Sequence, residues 1–256
     1  MPTFHRVAAP ERVAALVRWF WIPEWRIAPG RSSRQHLISF PACNLVVEPH
    51  AVGFAGPTTR ASHRDLTGTG WAVGALLRPA AVPAFTDDPT ALRDSYRSMP
   101  LPTLHAVVSG AMTGPGNQQA RHRHAVEAFT DLLCETVPAP SPEALLANAM
   151  AEIIDTDPAV LTAGDVAGHL HVSVRTLQRL ARRYVGLSPV AMIRRRRLQE
   201  AADRLRAEPS GSLAEVAAEL GYTDHAHLAN EFRAALGLTL SGYRREVHRP
   251  DLEHGT

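Results

Sequence analysis

Apolar residues recur at helical spacing twice in the C-terminal third of the chain. In the first copy Val166, Ala167 and Leu170 fall on one side of a short leading segment, His171 stands in the turn, and Ser173 offers a cap to the next segment. That segment is predicted to bury Val174, Leu177, Leu180 and Ala181. In the second copy Ser212 and Glu215 have capping-box spacing, Gly221 supplies the turn, Asp224 caps, and Leu228 and Phe232 face inward. Leading segments are offset by fifty residues (Ala167 to Ala217) and following ones by fifty-one (Leu177 to Leu228), so the second turn carries one more residue. Between the copies Gly186 ends one helix, and Ser188-Pro189 starts another that should reach Ala207 with Ile193, Leu198, Ala201, Ala202 and Leu205 facing in. Each copy is a helix, a tight turn and a capped second helix, the arrangement that can lay its second helix in a DNA major groove.

The first hundred residues have a different pattern. Residues 11–20 place Val13, Ala14, Leu16 and Val17 at helical spacing, and Trp19, Phe20, Trp21 and Trp25 cluster after them. Strand-like runs follow at 35–40, 44–48, 51–55 and 71–77, punctuated by Gly and Pro, which suggests a small barrel or sandwich. Asp88-Pro89 reads as the start of a short helix to Tyr96, and the Pro- and Gly-rich stretch 99–118 reads largely as loop. Amphipathic helices are predicted at 119–136, with Val126, Phe129, Leu132 and Leu133 on one side, and from Ser141-Pro142 onward, carrying Leu145, Leu146, Ala149, Met150 and Ile153. Their apolar faces fit either the β-rich part or a second subunit. The division expected is thus a β-rich domain at 1–98, a helical linker with dimerisation helices at 99–158, a helix-turn-helix module at 159–250 and a tail at 251–256.

Charge sharpens this picture. The whole chain carries +2, but residues 161–249 hold fourteen arginines against nine acids, while the remainder holds thirteen against sixteen. The basic excess therefore lies in the repeated module, as a polyanion-binding surface requires. No apolar run is long enough for a membrane helix and the N-terminus lacks a signal-peptide core, so a cytoplasmic protein that does not enter membranes is expected. Cys43 and Cys134 are too few for a four-cysteine zinc cluster or a disulfide framework.

The segments Ser173-Val174-Arg175-Thr176-Leu177-Gln178-Arg179, Gly186-Leu187-Ser188-Pro189, Arg197-Leu198 with Ala201, and Gly237-Leu238-Thr239 with Tyr243-Arg244 resemble the AraC/XylS family of transcription regulators over about 161–245. Ala181 stands where the family usually has Phe, Met192 where an aromatic is common, and Leu240 where Pro usually follows Ser or Thr; all three concern packing. The resemblance implies a sequence-specific DNA-binding regulator and no enzyme. It also implies a β-rich, cupin-like or other small-barrel N-terminal domain that senses a small-molecule effector or mediates homodimerisation, and contact with RNA polymerase. Base contacts are expected from Arg175, Gln178 and Arg179 in the first unit and from His225, Ala226 and Asn230 in the second, because Arg pairs bidentately with guanine and Asn or Gln with adenine. The first unit is expected to carry most of the specificity. Phosphate contacts are expected from Arg182, Arg183, Arg194, Arg196 and Arg233. Trp19, Trp21, Trp25 and Trp71 are the aromatic residues available to line an effector pocket, although core packing competes with that role.

Two other readings compete. A cupin-like metal-binding protein or enzyme with a helical appendage would use the spacing His122-x-His124-x-x-Glu127, but that triplet falls on a predicted helix rather than a strand. A DNA-architectural protein would bind all duplexes alike. No phosphate loop, nucleophile elbow or zinc-binding His-Glu-x-x-His occurs, and no metal or cofactor is expected.

Overall fold

The computed structural model describes residues 2–37, 41–60, 62–208 and 212–247. The tail expected at 251–256 and the end of the strand expected at 35–40 lie outside them. In chain order the strands are β1 (Thr3–Ala8), β2 (Val17–Arg26), β3 (Ser33–Leu37), β4 (Asn44–Glu48), β5 (Ala51–Ala55), β6 (Ser62–Leu66), β7 (Thr69–Trp71), β8 (Val73–Leu77) and β9 (Tyr96–Ser98). The main sheet runs β1-β2-β8-β4-β5-β9 with β7 also on β2, all antiparallel; β3 and β6 form a separate pair. Among the described strands the pairing path is open.

The expected helix at 11–20 is instead a single 3-10 turn, Glu11–Val13, followed by β2. The spacing of Val13, Leu16 and Val17 suits either structure, but from Val17 onward burial alternates: Phe20 and Ile22 are fully buried, and Trp19, Trp21 and Trp25 lie on the other face. Branched and aromatic side chains on a pleated surface outweigh the short helical pattern. Those three tryptophans do not gather with Trp71, which joins the core. Trp21 lies over Gly74, where an added Cβ would meet its ring at 2.1 Å, and donates from Nε1 to Asn44 at 2.9 Å. Trp25 covers Gly70 in the same way, and Trp19 lies beneath the guanidinium groups of Arg6 and Arg18.

The buried face of the sheet, with Phe20, Ile22, Leu45, Val47, Phe54, Val73, Ala75 and Leu77, is covered by α1 (Pro102–Thr113) and α2 (Gln118–Thr136). α1 occupies part of the stretch expected as loop. Leu104, Val108 and Met112 recur every four residues and are buried, and Pro102 starts the helix at a position where its missing N–H costs nothing. Phe129 of α2 meets Phe20 edge to face with centroids 5.7 Å apart, worth about 0.5–1.5 kcal/mol beyond burial alone. The helix expected after Asp88 is a run of turns. Asp88 does accept from the Thr90 amide at 2.9 Å, but Asp94 takes a positive φ of 54° and the chain turns into β9.

α3 (Pro142–Thr156) belongs to a second core. Its Ala144, Ala147, Met150 and Ile154 pack with α4 (Ala163–His169), α5 (Val174–Tyr184) and the start of α6 (Pro189–Ala207). The far half of α6 packs with α7 (Leu213–Glu219), α8 (His225–Leu236) and α9 (Leu240–Val247) around Leu228 and Phe232. Ala181, Met192 and Leu240, the departures from the family pattern, are each 2% exposed or less and so sit inside these cores. The chain is thus a β-rich N-terminal part followed by a helical C-terminal part with two helix-turn-helix units. No described helix is long and apolar enough to cross a membrane.

The two parts meet along α3. Asn148, 9% exposed, accepts from the Ala80 amide at 2.9 Å and donates to the Ala15 carbonyl at 2.8 Å. Arg78 pairs with Glu152 at 2.8 Å, and Arg18 pairs with Asp155. Arg18 sits where the β2–β8 register slips between Val17 and Trp19; such a bulge re-aims a side chain. Gly186 has φ +82°, and a Cβ there would lie 2.6 Å from the Pro89 carbonyl, so close backbone approach at this seam requires glycine.

Candidate nucleic-acid interface

The first unit is fixed at both helix starts. Thr162 accepts from the Asp165 amide at 3.2 Å while Asp165 accepts from Thr162 N at 2.8 Å and Leu161 N at 3.0 Å, a reciprocal box unrecognised in the sequence reading. These backbone bonds, with that of the Thr162 hydroxyl, hold the Asp165 carboxyl below its ordinary range. His171 takes φ 52° in the turn, and Ser173 accepts from the Thr176 amide at 3.1 Å to start α5. In the second unit Gly221 takes φ +71°, Ser212 accepts from Glu215 N at 3.4 Å, and Asp224 accepts from His227 N at 2.8 Å to start α8. α6 joins the units as a rod of nineteen residues, about 28 Å long at 1.5 Å per residue, near the ~34 Å between successive major grooves on one face of a duplex.

On α5, Leu177, Leu180, Ala181 and Tyr184 are buried, and Arg175, Gln178, Arg179, Arg182 and Arg183 are exposed on the opposite side. Val174, expected inside, is 41% exposed: the first residue of the helix lies beyond the edge of the packed stripe. On α8, His225, Ala226, Asn230 and Arg233 are exposed while Leu228 and Phe232 are fully buried. His227 packs edge-on against Tyr222 and its Nε2 lies 3.2 Å from Glu231.

The arginines of α6 divide by helix geometry. Arg194 is exposed and its Nε lies 3.0 Å from Glu231. Arg196, expected at a phosphate, is only 7% exposed; its Nη2 donates to the Val160 carbonyl at 2.8 Å and its Nη1 to Glu200 at 3.4 Å, so it braces the first unit instead. Arg195 is also buried and donates to the Ala235 carbonyl at 3.1 Å, tying α6 to the end of α8. Arg197 lies 4.0 Å over the Tyr222 ring.

Two sets of carboxylates border α5. Glu143 at the start of α3 accepts from Arg179, from Arg183 at 2.9 Å and from the Tyr184 hydroxyl at 3.2 Å; the hydrogen bond from Arg179 is the main cause of its carboxyl lying below the ordinary range. Asp87 and Asp88 line a cleft whose other wall is Arg179, Arg182 and Arg183. His122, which begins the triplet considered for metal, is buried with Nε2 2.7 Å from Glu24. Among the described residues no group of three or more His, Cys, Asp or Glu side chains is placed to hold a metal ion.

Comparison with known families matches residues 166–246 to a helix-turn-helix domain, a span that takes in both units and the rod between them. Residues 166–246 are the helix-turn-helix module of a DNA-binding transcription regulator, and the segments that resemble the AraC/XylS family lie over about the same span. The N-terminal part of this regulator, residues 5–98, matches a family described as a domain of unknown function (DUF6597). Among solved structures the regulator is similar to an AraC-type DNA-binding protein from Chromobacterium violaceum, at 23% identity over 40% of this chain and 91% of that one, with a TM-score of 0.37. It is also similar to a variant of apo ToxT from Vibrio cholerae, at 9% identity over 89% and 97% of the two chains (TM-score 0.48), and to the AraC-like transcriptional activator CuxR, at 13% over 80% and 96% (TM-score 0.28). The double helix-turn-helix geometry and the family match, not these overlaps, carry the assignment. No curated protein matches the chain. Through this helix-turn-helix module the protein binds DNA and controls transcription.

Proposed function

We propose that this regulator reads two successive major grooves, α5 supplying most of the sequence preference and α8 a smaller share. The observation that supports this is the face of α5: Arg175, Gln178 and Arg179 stand exposed in its first half, opposite a stripe buried to 0% at Leu177 and Leu180. Arg offers a bidentate fork to guanine and Gln to adenine, each good pair giving about 1–3 kcal/mol of discrimination. α8 offers His225, Ala226 and Asn230, of which Asn230 alone can pair bidentately with adenine. Arg182, Arg183, Arg194 and Arg233 are exposed at positions suited to phosphate, where they add salt-dependent affinity without sequence preference. The β-rich domain tunes this activity by binding a small molecule or by pairing two chains; its seam with α3 is the route by which either event reaches the DNA-binding part. The test compares Arg179→Ala with Asn230→Ala on a panel of single-base variants of the preferred site. Arg179→Ala should relax preference at its position by the larger factor; the reverse order would refute the ranking.

A further inference from the structure

We propose that Glu143 is a positioning residue for base reading: it aims Arg179, and because α3 is clamped to the β-rich domain, it makes that aim depend on how the two parts of the chain are seated. This rests on the reading that Arg179 contacts a base.

A long arginine side chain on a solvated helix face samples many rotamers, and reading a base requires one of them. Glu143 removes that freedom. Its Oε2 is held by the hydroxyl of Tyr184 at 3.2 Å, and that ring is 3% exposed within the core of the first unit, so the carboxylate has a fixed anchor. Arg183 adds a second hold at 2.9 Å. Oε1 is left to accept from Nη1 of Arg179. The Nε–Nη2 edge of the same guanidinium carries two parallel N–H groups, the pattern that O6 and N7 of guanine accept together. One carboxylate thus binds one side of the fork and turns the other outward.

Arg183 and Tyr184 of α5 hold the carboxylate, but its backbone belongs to another helix. Glu143 is the second residue of α3, whose Ala144, Ala147, Met150 and Ile154 are in the core beneath α5. The same helix holds Asn148, Glu152 and Asp155 against Ala15, Ala80, Arg78 and Arg18 of the β-rich part. A change in how that part seats α3 therefore moves the support of Arg179.

The experiment uses the full chain, with duplexes recovered by site selection from a random pool and their single-base variants. Affinities are measured for wild type, Glu143→Gln, Arg179→Ala and the double variant. Glu143→Gln should lower the preference for guanine at Arg179's position about fivefold or more, the lower end of what one bidentate pair confers. It should change nothing further in the Arg179→Ala background. Tighter binding to every duplex at unchanged preference would mean that Glu143 merely competes with DNA for the arginines, and would overturn the proposal. So would equal loss with and without Arg179. If Arg179→Ala itself leaves preference intact, the base-contact reading fails and this proposal with it; if Arg179→Ala relaxes preference and Glu143→Gln does not, positioning alone fails. Should Glu143→Gln not fold, Tyr184→Phe removes one anchor of the carboxylate and should shift the same preference in the same direction by a smaller factor; no shift would count against the proposal.

Discussion

Replacing Asn148 by Ala should loosen the seam between the two parts of the chain. The Asn148 side chain satisfies the Ala80 amide at 2.9 Å and the Ala15 carbonyl at 2.8 Å, and Ala80 is 8% exposed. Stranding the Ala80 N–H costs about 1–3 kcal/mol, and losing the second, less buried bond costs about 0.5–1.5 kcal/mol, for a total of about 2–4 kcal/mol. The loss falls on a join, so it should show as uncoupling. All four tryptophans lie in the β-rich part, whereas most helix lies beyond residue 100, so fluorescence and far-ultraviolet circular dichroism follow the two parts separately during urea unfolding. Asn148→Ala should lower the stability read by both probes and separate their midpoints. Asn148→Asp, which keeps the acceptor for Ala80 but not the donor to Ala15, should lie between the variant and wild type. A change under about 0.5 kcal/mol with coincident midpoints, the range of ordinary surface substitutions, would refute the role given to this seam.

Two further outcomes follow from the same structure. Cys43 is buried and its thiol is pushed up to about 12 by that burial, while Cys134 is exposed; a thiol reagent near neutral pH should titrate one group in the native protein and two after denaturation. Asp165, whose carboxyl is held low by the Leu161 and Thr162 amides, contributes stability that is fully present above its ordinary titration range and is lost as pH falls through its depressed one. Thermal melts should therefore show wild type above Asp165→Asn near pH 6, with the gap closing below about pH 4; a pH-independent gap would contradict the capping box.

The helical module was legible because its signals are local. Ser173, Ser188 and Asp224 each cap the helix they precede, and Gly186 and Gly221 take the positive φ that their place in a turn demands. The β-rich part was less so. α1 hides its Leu104, Val108 and Met112 between stretches rich in Pro and Gly, and β6 and β9 are short strands with few apolar residues to mark them. At 11–20 a few apolar residues at helical spacing lost to a strand whose neighbours, β1 and β8, come from elsewhere in the sequence. Among identical side chains the sequence offers no distinction: Arg194 is exposed and Arg196 buried because successive helix residues point about 100° apart and only tertiary packing says which way is in. The hold of Glu143 on Arg179 spans thirty-six residues and carries no local signature.

The most direct test of the central claim is selection of preferred sites by the full chain from a random duplex pool near physiological salt. Recovery of two short motifs about one helical turn (~34 Å) apart, the first losing its preference with Arg179→Ala, is the outcome expected if α5 and α8 enter successive grooves. A single motif, or no enrichment with binding that disappears as salt rises, would contradict two-groove reading and leave only phosphate attraction.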